Sequence, residues 1–124
     1  MRMANCKDVG ARMSTSITER IKVLKDARTL LSDPKNWTRD EFARDYTAKP
    51  TLVNSESAVC FCTMGAVERV SNVSRAGDVI RDLYQTLICD PYFSGYSNIA
   101  QFNDRTSHTK VLELFDKTIV RLEQ

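Results

Sequence analysis

The sequence predicts an all-α fold: a compact bundle of four to five helices, with an irregular segment after the first. Three observations carry that prediction. Apolar residues recur at helical spacing in four stretches, polar capping residues stand before them, and Asp33-Pro34 and Asp90-Pro91 punctuate the chain. Composition is compatible with it, since 42% of the 124 residues are hydrophobic and 27% charged, enough for one buried core with a solvated surface.

Residues 1–13 are polar and weakly patterned, and are expected to form a flexible N-terminal arm; Met13 is a second candidate start of translation. Residues 14–124 are expected to form a single helical domain. Its first helix starts at Ser16-x-x-Glu19, where hydroxyl and carboxylate can cap each other's backbone N–H groups. Ile17, Ile21, Leu24, Ala27 and Leu31 continue it as a stripe, and Asp33-Pro34 ends it, because a residue before proline is pushed out of the helical region.

From Asn36 to Val53 two readings stand. Thr38-x-x-Glu41 could open a short helix turning Phe42 and Ala43 inward, or the segment could be a small irregular hairpin, with Lys49-Pro50 forbidding anything longer in helix. Trp37 is expected beneath it. A central buried helix is expected near Ser57–Val70, with Val59, Cys62, Ala66 and Val70 on its stripe and Asn54, Ser55 and Ser57 as candidate caps. Gly65 costs that helix about 1 kcal/mol against alanine, which predicts close approach of another backbone. A third helix is expected from about Arg75 to Leu87 with Val79, Ile80, Leu83 and Leu87 inward, followed by an aromatic loop over Tyr92–Ser97 whose rings cover the core. Asn98–Phe102 reads as one helical turn. Asn103-Asp104 and Thr106-Ser107 then lead into a last helix with His108, Val111, Leu112, Phe115, Ile119 and Leu122 on one face.

Several function classes are disfavoured. The net charge is +2 with both signs interspersed, so no strong field for nucleic acid or membrane arises, and no apolar run approaches the roughly 20 residues of a span. With no secretory leader, a cytoplasmic chain is expected, and Cys6, Cys60, Cys62 and Cys89 are expected as reduced thiols. One histidine and no second cysteine pair at ligand spacing leave neither a metal site nor a cofactor expected. No glycine-rich phosphate loop is present, so phosphates would need loop arginines such as Arg39, Arg44 or Arg105.

Two groups of residues could carry chemistry. Cys62, placed in the first turns of the central helix where partial positive charge favours a thiolate, could act with His108 and Asp104 as a nucleophilic set. The plainer account makes Cys62 a small hydrophobe and His108 a buried hydrogen-bonding ring. Alternatively Trp37, Arg44, Asp45, Asn103, Asp104 and His108 could line a ligand pocket, polar groups converging among aromatics. Against that, Asn and Asp before a helix most often serve as caps.

The ordered set Trp37-Thr38, Ala43-Arg44-Asp45, Ala58-Val59, Phe61-Cys62-x-x-Gly65-Ala66, Ile99-Ala100-x-Phe102-Asn103-Asp104, Thr106, His108, Val111-Leu112 and Phe115-Asp116 resembles a family of short actinobacterial and bacteriophage proteins classed as a domain of unknown function. The family pattern tends to glycine where this chain has Asp40 and Ala48, departures that argue against a tight hairpin after Trp37. The resemblance implies a phage or bacterial origin and no established activity. It fits a small binding protein that engages a host protein or a small signalling ligand, including an anti-defence or host-takeover factor. The alternatives are a cysteine-dependent hydrolase or transferase using Cys62 and His108, and a structural, homo-oligomeric accessory protein.

Overall fold

A computed structural model describes residues 15–124; the arm expected at residues 1–13 lies outside the described residues. The all-α prediction stands, with five α-helices among the described residues: α1 (Ile17–Leu31), α2 (Thr63–Val70), α3 (Val73–Cys89), α4 (Ile99–Arg105) and α5 (His108–Glu123). One short antiparallel ladder joins β1 (Ala43–Arg44) to β2 (Cys60–Phe61), with Ala43 opposite Phe61 and Arg44 opposite Cys60. No described helix is long and apolar enough to cross a membrane.

Helix α1 begins as expected. Ser16 Oγ accepts from Glu19 N and the Glu19 carboxylate accepts from Ser16 N, so both ends of the capping box close. Val23, Leu24, Ala27 and Leu31 are buried against α2 and α5, while Ile17 at the head of the expected stripe is largely solvent-exposed. Between α1, α3 and α5 runs a buried polar network. Arg20 Nε donates to Asp82 Oδ2 at 2.7 Å, with both side chains under 5% exposed, and Arg121 donates to the Asp82 carbonyl at 2.7 Å and to Thr86 Oγ1 at 3.1 Å.

The central helix is shorter than its sequence stripe. It starts at Thr63, and Cys62 is its N-cap, Sγ accepting from Gly65 N at 3.3 Å; Asn54, Ser55 and Ser57 cap nothing there. The four residues before it are spent on pairing instead. Val59 N donates to the Arg44 carbonyl at 2.9 Å and Cys62 N to the Phe42 carbonyl at 3.2 Å, so the backbone is extended where the apolar spacing suggested a helix. Val59 consequently points outward.

The 36–53 segment is the irregular hairpin rather than the helix. Phe42 faces solvent, and only Ala43 turns in. Asp40 and Ala48 both adopt positive φ, 70° and 71°, the conformation glycine takes most easily. Both turns are thus made without glycine at these positions. Gly65 meets the expected backbone: a Cβ built there would collide with the Phe42 carbonyl oxygen and stand 2.9 Å from its carbonyl carbon.

Helix α3 runs two residues further at each end than expected, from an Asn72 cap. The aromatic loop does cover the core. Phe93 is fully buried and meets Phe102 edge-on at 5.6 Å, and Tyr96 meets the same ring at 5.0 Å. Helix α4 is nearly two turns, so Asn103 and Asp104 lie inside it rather than ahead of α5; the α5 cap is Ser107 alone. Leu114 and Thr118 join the buried face of α5, while His108 and Leu112 are only half-buried there.

Candidate functional site

Helix α4 presents Asn103, 1% exposed, to the junction of the irregular segment and the N-terminus of α2. Its Oδ1 accepts three hydrogen bonds: from Trp37 Nε1 at 2.8 Å, Thr63 N at 2.9 Å and Thr63 Oγ1 at 2.7 Å. Its Nδ2 donates to the Thr38 carbonyl and to Asp104 Oδ1, both at 3.0 Å. Both amide protons are used and the oxygen is crowded, so Asn103 has no capacity left for a ligand. It is a clamp. The side chain of one helix satisfies an otherwise unpartnered amide of another and pins the indole of the loop between them.

The other candidates divide around this clamp. Trp37 leans its ring on His108 (centroids 5.6 Å apart) and carries the Arg39 guanidinium on its own face at 4.7 Å. His108 Nε2 lies 2.6 Å from the Leu31 carbonyl oxygen and donates to it, tying α5 to the end of α1. Arg44 spans the irregular segment from within, donating to Thr38 Oγ1 and to the carbonyls of Arg39 and Ala48. Asp45 is engaged in its own turn, accepting from Thr47 N, Thr47 Oγ1 and Lys49 N. Those bonds, the Thr47 hydroxyl foremost, hold its carboxyl below the usual range. Trp37, Asn103, Asp104 and His108 are thus brought together, with Arg44 bonded to the same segment, while Asp45 makes its bonds elsewhere.

Cys62 and Asp104 line a cleft of about 110 Å³ beside the clamp, with Asp40, Glu41, Phe42 and Met64. His108 is not among its walls. Burial pushes the Cys62 thiol up, outweighing the Gly65 and Met64 N–H groups that favour a thiolate, and Asp104 and Glu68 push it the same way. The helix N-terminus therefore does not activate this sulfur, because desolvation is the larger effect. Asp104 Oδ1 accepts from Asn103 Nδ2 and from Asp40 N at 2.9 Å, and among the described residues no ion pair neutralises Asp40, Glu41 or Asp104. Among the described residues no group of three or more His, Cys, Asp and Glu is placed to hold a metal ion. Cys60 and Cys62 carry free thiols, whereas Cys89 is disulfide-bonded, which corrects the expectation of a reduced thiol there.

Sequence reasoning missed Thr63 as the second anchor of the clamp and Glu41, Phe42 and Met64 as cleft walls. Asp40 has a left-handed backbone, φ 70°, and donates its own N–H to Asp104.

Fold and site together define a small helical domain in which one buried amide clamps an irregular segment beside an acidic cleft. The chain belongs to DUF6197, a family of unknown function whose model matches residues 16–121. No curated protein and no solved structure matches it.

Proposed function

We propose that this chain is a binding protein without turnover, whose cleft takes a cationic group on a short apolar stem. The observation that carries this is a cleft with mostly apolar walls bordered by three carboxylates, Asp40, Glu41 and Asp104, that no cationic side chain among the described residues pairs. Size narrows the ligand. Clefts for drug-sized molecules run to about 300–1,000 Å³, so about 110 Å³ suits a single side chain or a small amine. A lysine or arginine of a protein partner meets both requirements.

The hydrolase or transferase reading loses support on the same residues. Cys62 is buried with its thiol pushed up, and the imidazole that would deprotonate it is bonded to the Leu31 carbonyl. In the wider proposal the partner is a host protein, and the chain acts in the bacterial cytoplasm as a phage-encoded factor, including against antiviral defence. The family resemblance supports that part, and the cleft supports the chemistry.

Titration of ¹⁵N-labelled protein with butylammonium, using butyrate and butanol as controls, tests the reading. Amide shifts confined to residues 40–42, 62–65 and 103–104, produced by butylammonium and not by butyrate, are expected. Equal responses to all three probes, or none to butylammonium, contradict it.

A further inference from the structure

The cleft does not end at its walls. Met64, Ile99 and Ala100 are shared with an open, apolar groove of about 420 Å³ between α3 and α4, whose α3 side presents Gly77, Ile80 and Tyr84. We propose that this groove docks an apolar segment of a partner protein, a lysine or arginine of which ends in the acidic cleft. The proposal deepens the binding reading above and rests on it, adding the class of partner.

Gly77 supplies the first argument. A glycine inside a helix costs about 1 kcal/mol against alanine, a cost that the close approach of another backbone can offset. At Gly65 the fold provides one, the Phe42 carbonyl. At Gly77 the described residues provide none: a Cβ added there meets no atom of them within 4 Å, and φ is not positive. The space that Gly77 leaves open belongs to the groove, where a bare backbone admits close approach of another chain. Charge supplies the second argument. Asp40, Glu41 and Asp104, none of them in an ion pair with a described residue, line the cleft that shares Met64, Ile99 and Ala100 with the groove, and exposed Arg81, likewise in no ion pair with a described residue, stands on the α3 wall. A segment with apolar side chains against Ile80, Ile99 and Tyr84, a basic residue toward Asp104 and a carboxylate toward Arg81 complements both.

The test is ¹⁵N-detected titration of the full chain with the capped peptide acetyl-Glu-Leu-Ala-Leu-Lys-amide, alongside its norleucine-for-lysine analogue. Shifts at Gly77, Ile80, Ala100 and Asp104 are expected, with the norleucine peptide about tenfold weaker, since a hydrogen bond to a charged group is worth that ratio or more. In Gly77→Leu, whose new side chain fills open groove and leaves the melt unlowered, peptide affinity should fall by about tenfold or more while butylammonium binding in the cleft is unchanged. Butylammonium binding with no peptide shifts at Gly77 or Ile80 overturns the groove and leaves the cleft reading intact. Equal affinity for the lysine and norleucine peptides overturns the assigned partner. So does concentration-dependent self-association abolished by Gly77→Leu, which would make the occupant a second copy of this chain. Failure of butylammonium itself overturns the cleft reading and this proposal with it.

Discussion

Replacing Asn103 should cost more than any other single change at the site, and the form of the loss should depend on the replacement. In Asn103→Ala three donors lose their acceptor: Trp37 Nε1–H, Thr63 N–H and Thr63 Oγ1–H. Water reaching in from the cleft can serve half-buried Trp37, and the Thr63 hydroxyl can turn elsewhere. The Thr63 amide is a fully buried first-turn donor with no alternative. At about 1–3 kcal/mol for a buried group left unmade, the total comes to about 2–4 kcal/mol. Asn103→Asp keeps the triple acceptor and loses both donors, so its second oxygen faces the Thr38 carbonyl and the Asp104 carboxylate. The N-terminus of α2 favours an anion there by about 0.3–1 kcal/mol, which is smaller than the repulsion and desolvation of a carboxylate beside Asp104 at a site 1% exposed. The introduced acid should therefore hold its proton more tightly in the folded than in the unfolded chain. The folded state then binds more protons through that window, and stability falls as pH rises through it. Urea melts at pH 4 and pH 8 check this. Asn103→Asp should sit closer to wild type at pH 4 than at pH 8, and Asn103→Ala should show a loss of about 2–4 kcal/mol with no such added slope. A loss under about 0.5 kcal/mol for Asn103→Ala would refute the clamp.

Three further outcomes follow from the same geometry. Gly65→Ala would gain about 1 kcal/mol in helix propensity, but the Phe42 carbonyl must move to admit the methyl, so thermal melts should show a net loss of about 1–3 kcal/mol. Burial pushes the Asp82 carboxyl up despite its Arg20 partner; the folded state holds that proton above the ordinary value of 3.8, and stability falls as pH rises through that window. Asp82→Asn should remove this slope in pH-dependent melts, and Asp82→Ala, which strands buried Arg20, should cost about 3–5 kcal/mol. A thiol reagent at neutral pH should modify half-buried Cys60 before buried Cys62 in the folded protein, as peptide mapping would show; prompt labelling of Cys62 would reopen the nucleophile reading.

What the sequence made legible is what its signals encode locally. Ser16 and Glu19 are three residues apart, and the box they form closes as read. Gly65 announced a backbone contact without saying whose, because Phe42 is far off in the chain. Two-residue strands carry no period, so Cys60 and Phe61 read as helix from the accidental spacing of Val59 to Cys62, while their true partners were Ala43 and Arg44. Asn103 looked like a cap because Asn commonly caps, whereas the groups it satisfies lie 66 and 40 residues away, at Trp37 and Thr63. The cleft was half-legible. Cys62 and Asp104 were singled out for a chemistry that the burial of one and the separate engagement of His108 do not support.

Clamp and proposed binding groups are separate side chains: Asn103 holds the fold, and the carboxylates around the cleft are the proposed partners of the cation. Among the described residues Glu41 makes no ion pair, so Glu41→Gln isolates the second role. Butylammonium titration of this variant beside wild type should show binding weakened by about threefold to tenfold while its melt stays within about 0.5 kcal/mol. Unchanged butylammonium affinity in Glu41→Gln, with the fold intact, would contradict the claim.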